Sequence, residues 1–183
     1  MTYQRNAQYR YIEAQKIAGS CGAEIEGVDL SQDLPDDVLA EVRAALLDNQ
    51  VIFFRDQKLT PEQQLRFARR WGEIHLHPFM QGMESHPEIL EIIKTPSDRK
   101  NFGGSWHTDQ MFSPKPAMGT ILYAKQVPSV GGDTMFTNQY LAYESLSDGM
   151  KQLCGQLRTV CVGDNFKQHG GQTRAQRYAR VSA

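Results

Sequence analysis

Residues 101–137 read NFGGSWHTDQ MFSPKPAMGT ILYAKQVPSV GGDTMFT. Two β-prone runs in it, Met118–Lys125 and Thr134–Thr137, are set off by turn chemistry at Pro114-Lys115-Pro116, Pro128-Ser129 and Gly131-Gly132-Asp133. Ile89–Ile93 upstream and Arg158–Val162 downstream have the same texture, so four strands are expected between residues 89 and 162. The economical fold class is α+β, mainly β, with helices on the N-terminal side of a β-rich core.

Those helices are legible from spacing. Between Asp36 and Asp48 the apolar residues Val38, Leu39, Val42, Ala45 and Leu46 recur at three and four, which predicts an amphipathic helix. Thr60-Pro61-Glu62-Gln63 combines an N-cap, a proline at the first helical position and a box-closing glutamine, predicting a second helix as far as Trp71, stopped by Gly72. Asn138 and Ser147 are N-cap candidates for two short helices, with Tyr140, Leu141 and Tyr143, then Met150, Leu153 and Leu157, as their inner faces. Short strands are expected over Ala23–Val28 and Val51–Phe54.

At 183 residues the chain is expected to form one domain, residues 1–183. Hydrophobic residues make up 40% and charged residues 22%, the balance of a protein with a real core, and a net charge of -1 gives no electrostatic case for nucleic acid or an anionic membrane. Three cysteines without C-x-x-C spacing argue against a disulfide scaffold and fit a reducing, cytoplasmic compartment. No apolar run approaches the ~20 residues that span a bilayer, and the N-terminus has no signal-peptide core. The last twenty residues set Lys167, Arg174, Arg177 and Arg180 against Asp164 alone. This segment, 164–183, is expected to be a basic loop or lid, and a β-rich domain that ends in it is expected to lack its natural continuation.

The chemistry concentrates at Trp106-His107-Thr108-Asp109. On an extended strand, residues two apart share a face, so the His107 imidazole and the Asp109 carboxylate can chelate one metal ion. That pair suits Fe(II), Mn(II) or Zn(II). The spacing alone is cheap: with five histidines and 21 acids, roughly 0.6 such matches arise by chance. His86-Pro87-Glu88 fits it too, and a histidine hydrogen-bonded to a nearby carboxylate remains an alternative.

A longer ordered set narrows the choice. Trp106-His107-Thr108-Asp109, Phe112, Pro116, Gly119, Ile121-Leu122, Ala124-Lys125, Pro128-Ser129, Gly131-Gly132-Asp133-Thr134 and Ala142–Ser147 together resemble the taurine dioxygenase family of Fe(II)- and 2-oxoglutarate-dependent oxygenases. Upstream, Phe53–Gln57, Leu59–Pro61, Phe67–Glu73 and His75–Pro78 resemble the same family, so the likeness spans about Ile17 to Val160. It implies a double-stranded β-helix, a cupin-like jelly roll flanked by helices, binding Fe(II) as cofactor and 2-oxoglutarate as co-substrate. The implied reaction hydroxylates a small organic acid or related C–H substrate with O2, releasing succinate and CO2.

By the same resemblance, His107 and Asp109 match the family's proximal histidine and carboxylate ligand. Thr134 matches a threonine on the 2-oxoglutarate carboxylate, His77 a substrate-pocket histidine, and Gln110 and Phe112 pocket-lining positions. Met80 and Gly103 stand where the taurine enzyme has a tyrosine and an asparagine against its substrate, which favours a bulkier or less polar substrate here. The family's distal histidine and 2-oxoglutarate arginine have no counterpart; His169, the one histidine after Asp109, lies in a glycine-rich polar segment. A catalytically incomplete or non-catalytic homologue is therefore the alternative reading, and open sheet edges lead one to expect association with another copy. A zinc hydrolase using His75, His77 and His107 is the third reading.

Overall fold

A computed structural model describes residues 9–77, 80–95 and 103–162. Strand β1 (Glu13–Lys16) pairs antiparallel with β2 (Ala23–Glu26), and β2 pairs in parallel with β3 (Ile52–Phe53), giving the order β1-β2-β3. Parallel neighbours need a crossover between them, and helix α1 (Asp36–Asn49) provides it. Ala23 and Ile25 of β2 point inward while Glu24 is half-buried and Glu26 exposed, the alternation of a sheet with one covered face. On α1 the buried residues Val42, Ala45 and Asn49 keep the three-and-four spacing. β1 carries no strand signal, since Glu, Ala, Gln and Lys are weak strand formers; the open edge of β2 recruits it.

The helix termini follow their sequence cues. Asp36 and Asp37 occupy the first turn of α1, where the helix dipole favours negative charge. Gln50 ends it at a left-handed φ of 62°, its N–H donating to the Leu46 carbonyl at 2.7 Å. Helix α2 (Pro61–Arg69) opens on a reciprocal box: Gln63 N–H donates to Thr60 Oγ1 at 3.3 Å and Thr60 N–H to Gln63 Oε1 at 2.8 Å. Helices α3 (Gln139–Glu144) and α4 (Asp148–Gln156) are capped by Asn138 and Ser147, which accept from Leu141 N–H and Met150 N–H.

Polar side chains close the N-terminal layer. Glu41 on α1 accepts the backbone N–H groups of Arg10 and Tyr11, each at 2.8 Å, and of Ile12 at 3.3 Å. Desolvation pushes its carboxyl up, but the three donors outweigh that and hold it below the ordinary carboxylate value. The Tyr9 hydroxyl donates to Asp48 Oδ2 at 3.0 Å; burial and then the aspartate push it up to about 12. Asn138 Nδ2 donates to the Ser20 carbonyl at 2.7 Å and to Gln50 Oε1 at 2.9 Å, tying the start of α3 to the end of α1.

The second half departs from expectation. Residues 89–93, 118–125, 134–137 and 158–162 are not strands; none joins a ladder with another described segment. A strand cannot satisfy its own backbone, so β-prone sequence stays irregular unless a partner lies alongside. The expected inner faces of α3 and α4, from Tyr140 to Leu157, are likewise exposed, and neither helix has a buried residue. The described residues form an α+β arrangement in which helix outweighs strand.

The chain divides into two compact units, Met1–Phe67 with Ala124–Leu157, and Ala68–Tyr123 with Arg158–Ala183. No helix among the described residues is long and apolar enough to cross a membrane, and Cys21, Cys154 and Cys161 are free thiols. The basic segment 164–183, with His169 and its arginines, lies outside the described residues.

Candidate active site

His107 and Asp109 come together in the second unit. Nδ1 of His107 lies 2.7 Å from the Ser105 carbonyl. A carbonyl only accepts, so Nδ1 carries the proton and, in the neutral ring, the Nε2 lone pair is left exposed. Nε2 faces Asp109 Oδ1 at 3.2 Å. Two acceptors set face to face need a cation shared between them, either a proton on the imidazole or a metal. Metal bonds of about 2.1 Å at right angles place two donor atoms about 3.0 Å apart, so the spacing and the donor set both fit a metal. The other carboxylate oxygen, Oδ2, accepts from Thr120 Oγ1 at 3.0 Å. Both ring and carboxylate are about half exposed, open to a ligand from solvent.

The neighbouring positions are shaped by backbone conformation. Gly103 has a φ of +68°, and a Cβ there would sit 3.4 Å from His107 Cε1, so glycine keeps this approach to the ring open. Gln110 adopts a left-handed φ of 55°, and its carbonyl accepts from Ser113 N–H at 2.8 Å in a tight turn. Its side-chain Oε1 is buried with no hydrogen-bond partner among the described residues. Phe112 is half-buried on the same turn.

His77, half-buried in the same unit, is held below the ordinary imidazole value. Desolvation is the main cause, the neighbouring His75 adds to it, and the Asp109 carboxylate opposes both. Asp109 thus lies within electrostatic reach of His77. Thr134 belongs to the other compact unit, exposed after Gly131 and Gly132, whose φ values are +80° and +75°. Met80 is half-buried.

The competing motifs resolve differently. His86 contacts Ser85 Oγ at 2.9 Å, while Glu88 pairs with Arg69 at 3.3 Å, so that histidine and carboxylate turn to separate partners. Among the described residues no three His, Cys, Asp or Glu side chains gather as a metal site, which leaves the zinc reading through His75, His77 and His107 without geometric support. A cavity of about 470 Å³ lined by Arg69, Ile74, Leu76, Pro87 and Glu88 contains none of the expected site residues. Two contacts escaped sequence reasoning, the Ser105 carbonyl on His107 and Thr120 on Asp109. The second joins residues eleven apart across a turn-rich segment, and no local pattern announces such a bond.

Residues 13–182 match the family model for taurine catabolism dioxygenase TauD, TfdA family. The chain belongs to this family. Within it, the chain is 35% identical over 161 residues to an alkylsulfatase of Acinetobacter baylyi, covering 87% of this chain and 49% of that one. It is 35% identical over 150 residues to an alpha-ketoglutarate-dependent sulfate ester dioxygenase of Pseudomonas putida, covering 81% and 49%. The crystal structure of a taurine dioxygenase from Burkholderia xenovorans superposes with a TM-score of 0.71 at 36% identity, covering 80% of this chain and 52% of that one. The chain spans about half the length of the curated relatives it matches.

Proposed function

We propose that this chain carries the iron- and 2-oxoglutarate-binding face of a dioxygenase that hydroxylates a C–H bond of a small organic acid, with release of succinate and CO2. The observation that carries the reading is the His107 Nε2 to Asp109 Oδ1 spacing of 3.2 Å, with the ring's other nitrogen already committed to a carbonyl. His107 would hold the metal through Nε2 and Asp109 through Oδ1. When bound, Fe(II) with 2-oxoglutarate and O2 supplies the oxidising power; the protein supplies orientation and exclusion of water. The Thr134 hydroxyl donates to a carboxylate of 2-oxoglutarate in this reading. His77, Gly103, Gln110 and Phe112 border the substrate in this reading.

The substrate class follows from two strands of support. Relatives include a sulfate ester dioxygenase and an alkylsulfatase, and glycine at position 103 leaves room beside the imidazole. A sulfate ester or similar acid, larger and less polar than taurine, fits both. We further assign the chain to a single domain with a jelly-roll core, acting in the cytoplasm as a homo-oligomer on small molecules.

Anaerobic titration with Fe(II) and 2-oxoglutarate tests the proposal. A visible charge-transfer band that His107→Ala abolishes is the expected result; its absence in the unaltered chain contradicts the assignment. A second reading, a catalytically incomplete homologue, is favoured by the lack of a third ligand among the described residues. It predicts the same band with no succinate formed on admitting O2.

A further inference from the structure

We propose that Thr120 is a positioning residue for the Asp109 carboxylate, a role that rests on His107 and Asp109 holding the metal as proposed above. A carboxylate can offer a metal either oxygen, or both. Here the two oxygens are divided: Oδ2 accepts from Thr120 Oγ1 at 3.0 Å, and Oδ1 is turned to His107 Nε2 at 3.2 Å. Among the described residues Thr120 provides the hydrogen bond to this carboxylate. His107 has its own fixing contact, Nδ1 on the Ser105 carbonyl at 2.7 Å.

Each ligand therefore has one atom tied and one presented, and the two presented atoms face each other. Among the described residues Thr120 and His107 are the contacts of the Asp109 carboxylate, whose side chain is 60% exposed and which precedes a residue in the left-handed region. Without the hydroxyl the carboxylate is free to rotate, so the metal must pay the entropy of fixing it, and bidentate binding that would consume a second coordination position becomes accessible. Thr120 thereby favours one-oxygen ligation and leaves positions open for a chelating co-substrate.

The alternative is that Thr120 only closes the loop between residues 109 and 120. Titration of the full chain with Mn(II) alone, followed by the electron paramagnetic resonance signal of the free ion, separates the two when run beside thermal melts of the metal-free proteins. Thr120→Val, which keeps shape and removes the donor, is expected to weaken Mn(II) binding about tenfold, with the metal-free melt unchanged, and Thr120→Ser to restore binding. If Thr120→Val binds as the unaltered chain does while His107→Ala does not bind, the positioning role is overturned and the metal assignment stands. If Thr120→Val lowers the melt and Thr120→Ser fails to restore binding, the hydroxyl is structural and the proposal falls. If the unaltered chain does not bind Mn(II), or His107→Ala binds equally, the metal assignment fails and the role of Thr120 with it.

Discussion

Two stretches of this chain, residues 9–67 and 103–162, have similar supplies of apolar side chains and use them differently. In the first, Ile25 is 3% exposed and Val42 fully buried, and every buried apolar residue among those described lies between Ile12 and Phe67. In the second, Val130 and Val160 are 87% and 85% exposed, and no residue is buried. Helix α1 makes its own hydrogen bonds and covers two strands that flank it closely in sequence, so a short length of chain closes a core. The 103–162 stretch is rich in strand formers whose backbone groups need a neighbour from elsewhere. Burial therefore depends less on how apolar a segment is than on whether its hydrogen-bonding partners are local.

That contrast can be broken by mutation. The largest effect is expected at Ile25→Ala, which removes a buried side chain between sheet and helix and should cost about 3 kcal/mol in chemical denaturation. Val130→Ala should change stability by less than about 0.5 kcal/mol; a comparable loss at both sites would mean that residue 130 is packed in solution and the contrast is false. Asn138→Ala comes next, at about 1 kcal/mol, because it removes the α3 cap and the bonds to Ser20 and Gln50. An unchanged melt there would mean that α3 is not anchored to the N-terminal layer.

A smaller effect concerns pH. His77 is held below the ordinary imidazole value, chiefly by desolvation, so as pH falls through about 6.5 the unfolded chain takes up a proton before the folded one does. Stability should decline over that window and level off below the folded value. His77→Asn should flatten the decline, and denaturation midpoints measured from pH 7.5 to 5 will read the difference. Equal slopes would mean that His77 is not desolvated in the folded chain.

The helices were legible because their signals are local: the spacing of Val42 and Ala45, the box at Thr60 and Gln63, the caps at Asn138 and Ser147. β1 was not, since its residues acquire strand geometry from β2 alone. The four strands expected after residue 88 failed for the opposite reason, having the composition of strands without described partners. At the site, the two-residue spacing of His107 and Asp109 brought their side chains together, though on a segment that is not a strand. Sequence placed His77 and Gly103 near them through family likeness rather than through any rule of spacing. Thr120 was invisible because its bond to Asp109 joins residues eleven apart, a separation that no local spacing announces.

The most direct measurement is a crystal structure of the chain with Mn(II) and 2-oxoglutarate, located by the anomalous signal of the metal. The proposed site requires one metal peak bonded to both His107 Nε2 and Asp109 Oδ1, with Oδ2 still on Thr120. A peak at His75 and His77 instead, or none at the His107–Asp109 pair, would contradict it.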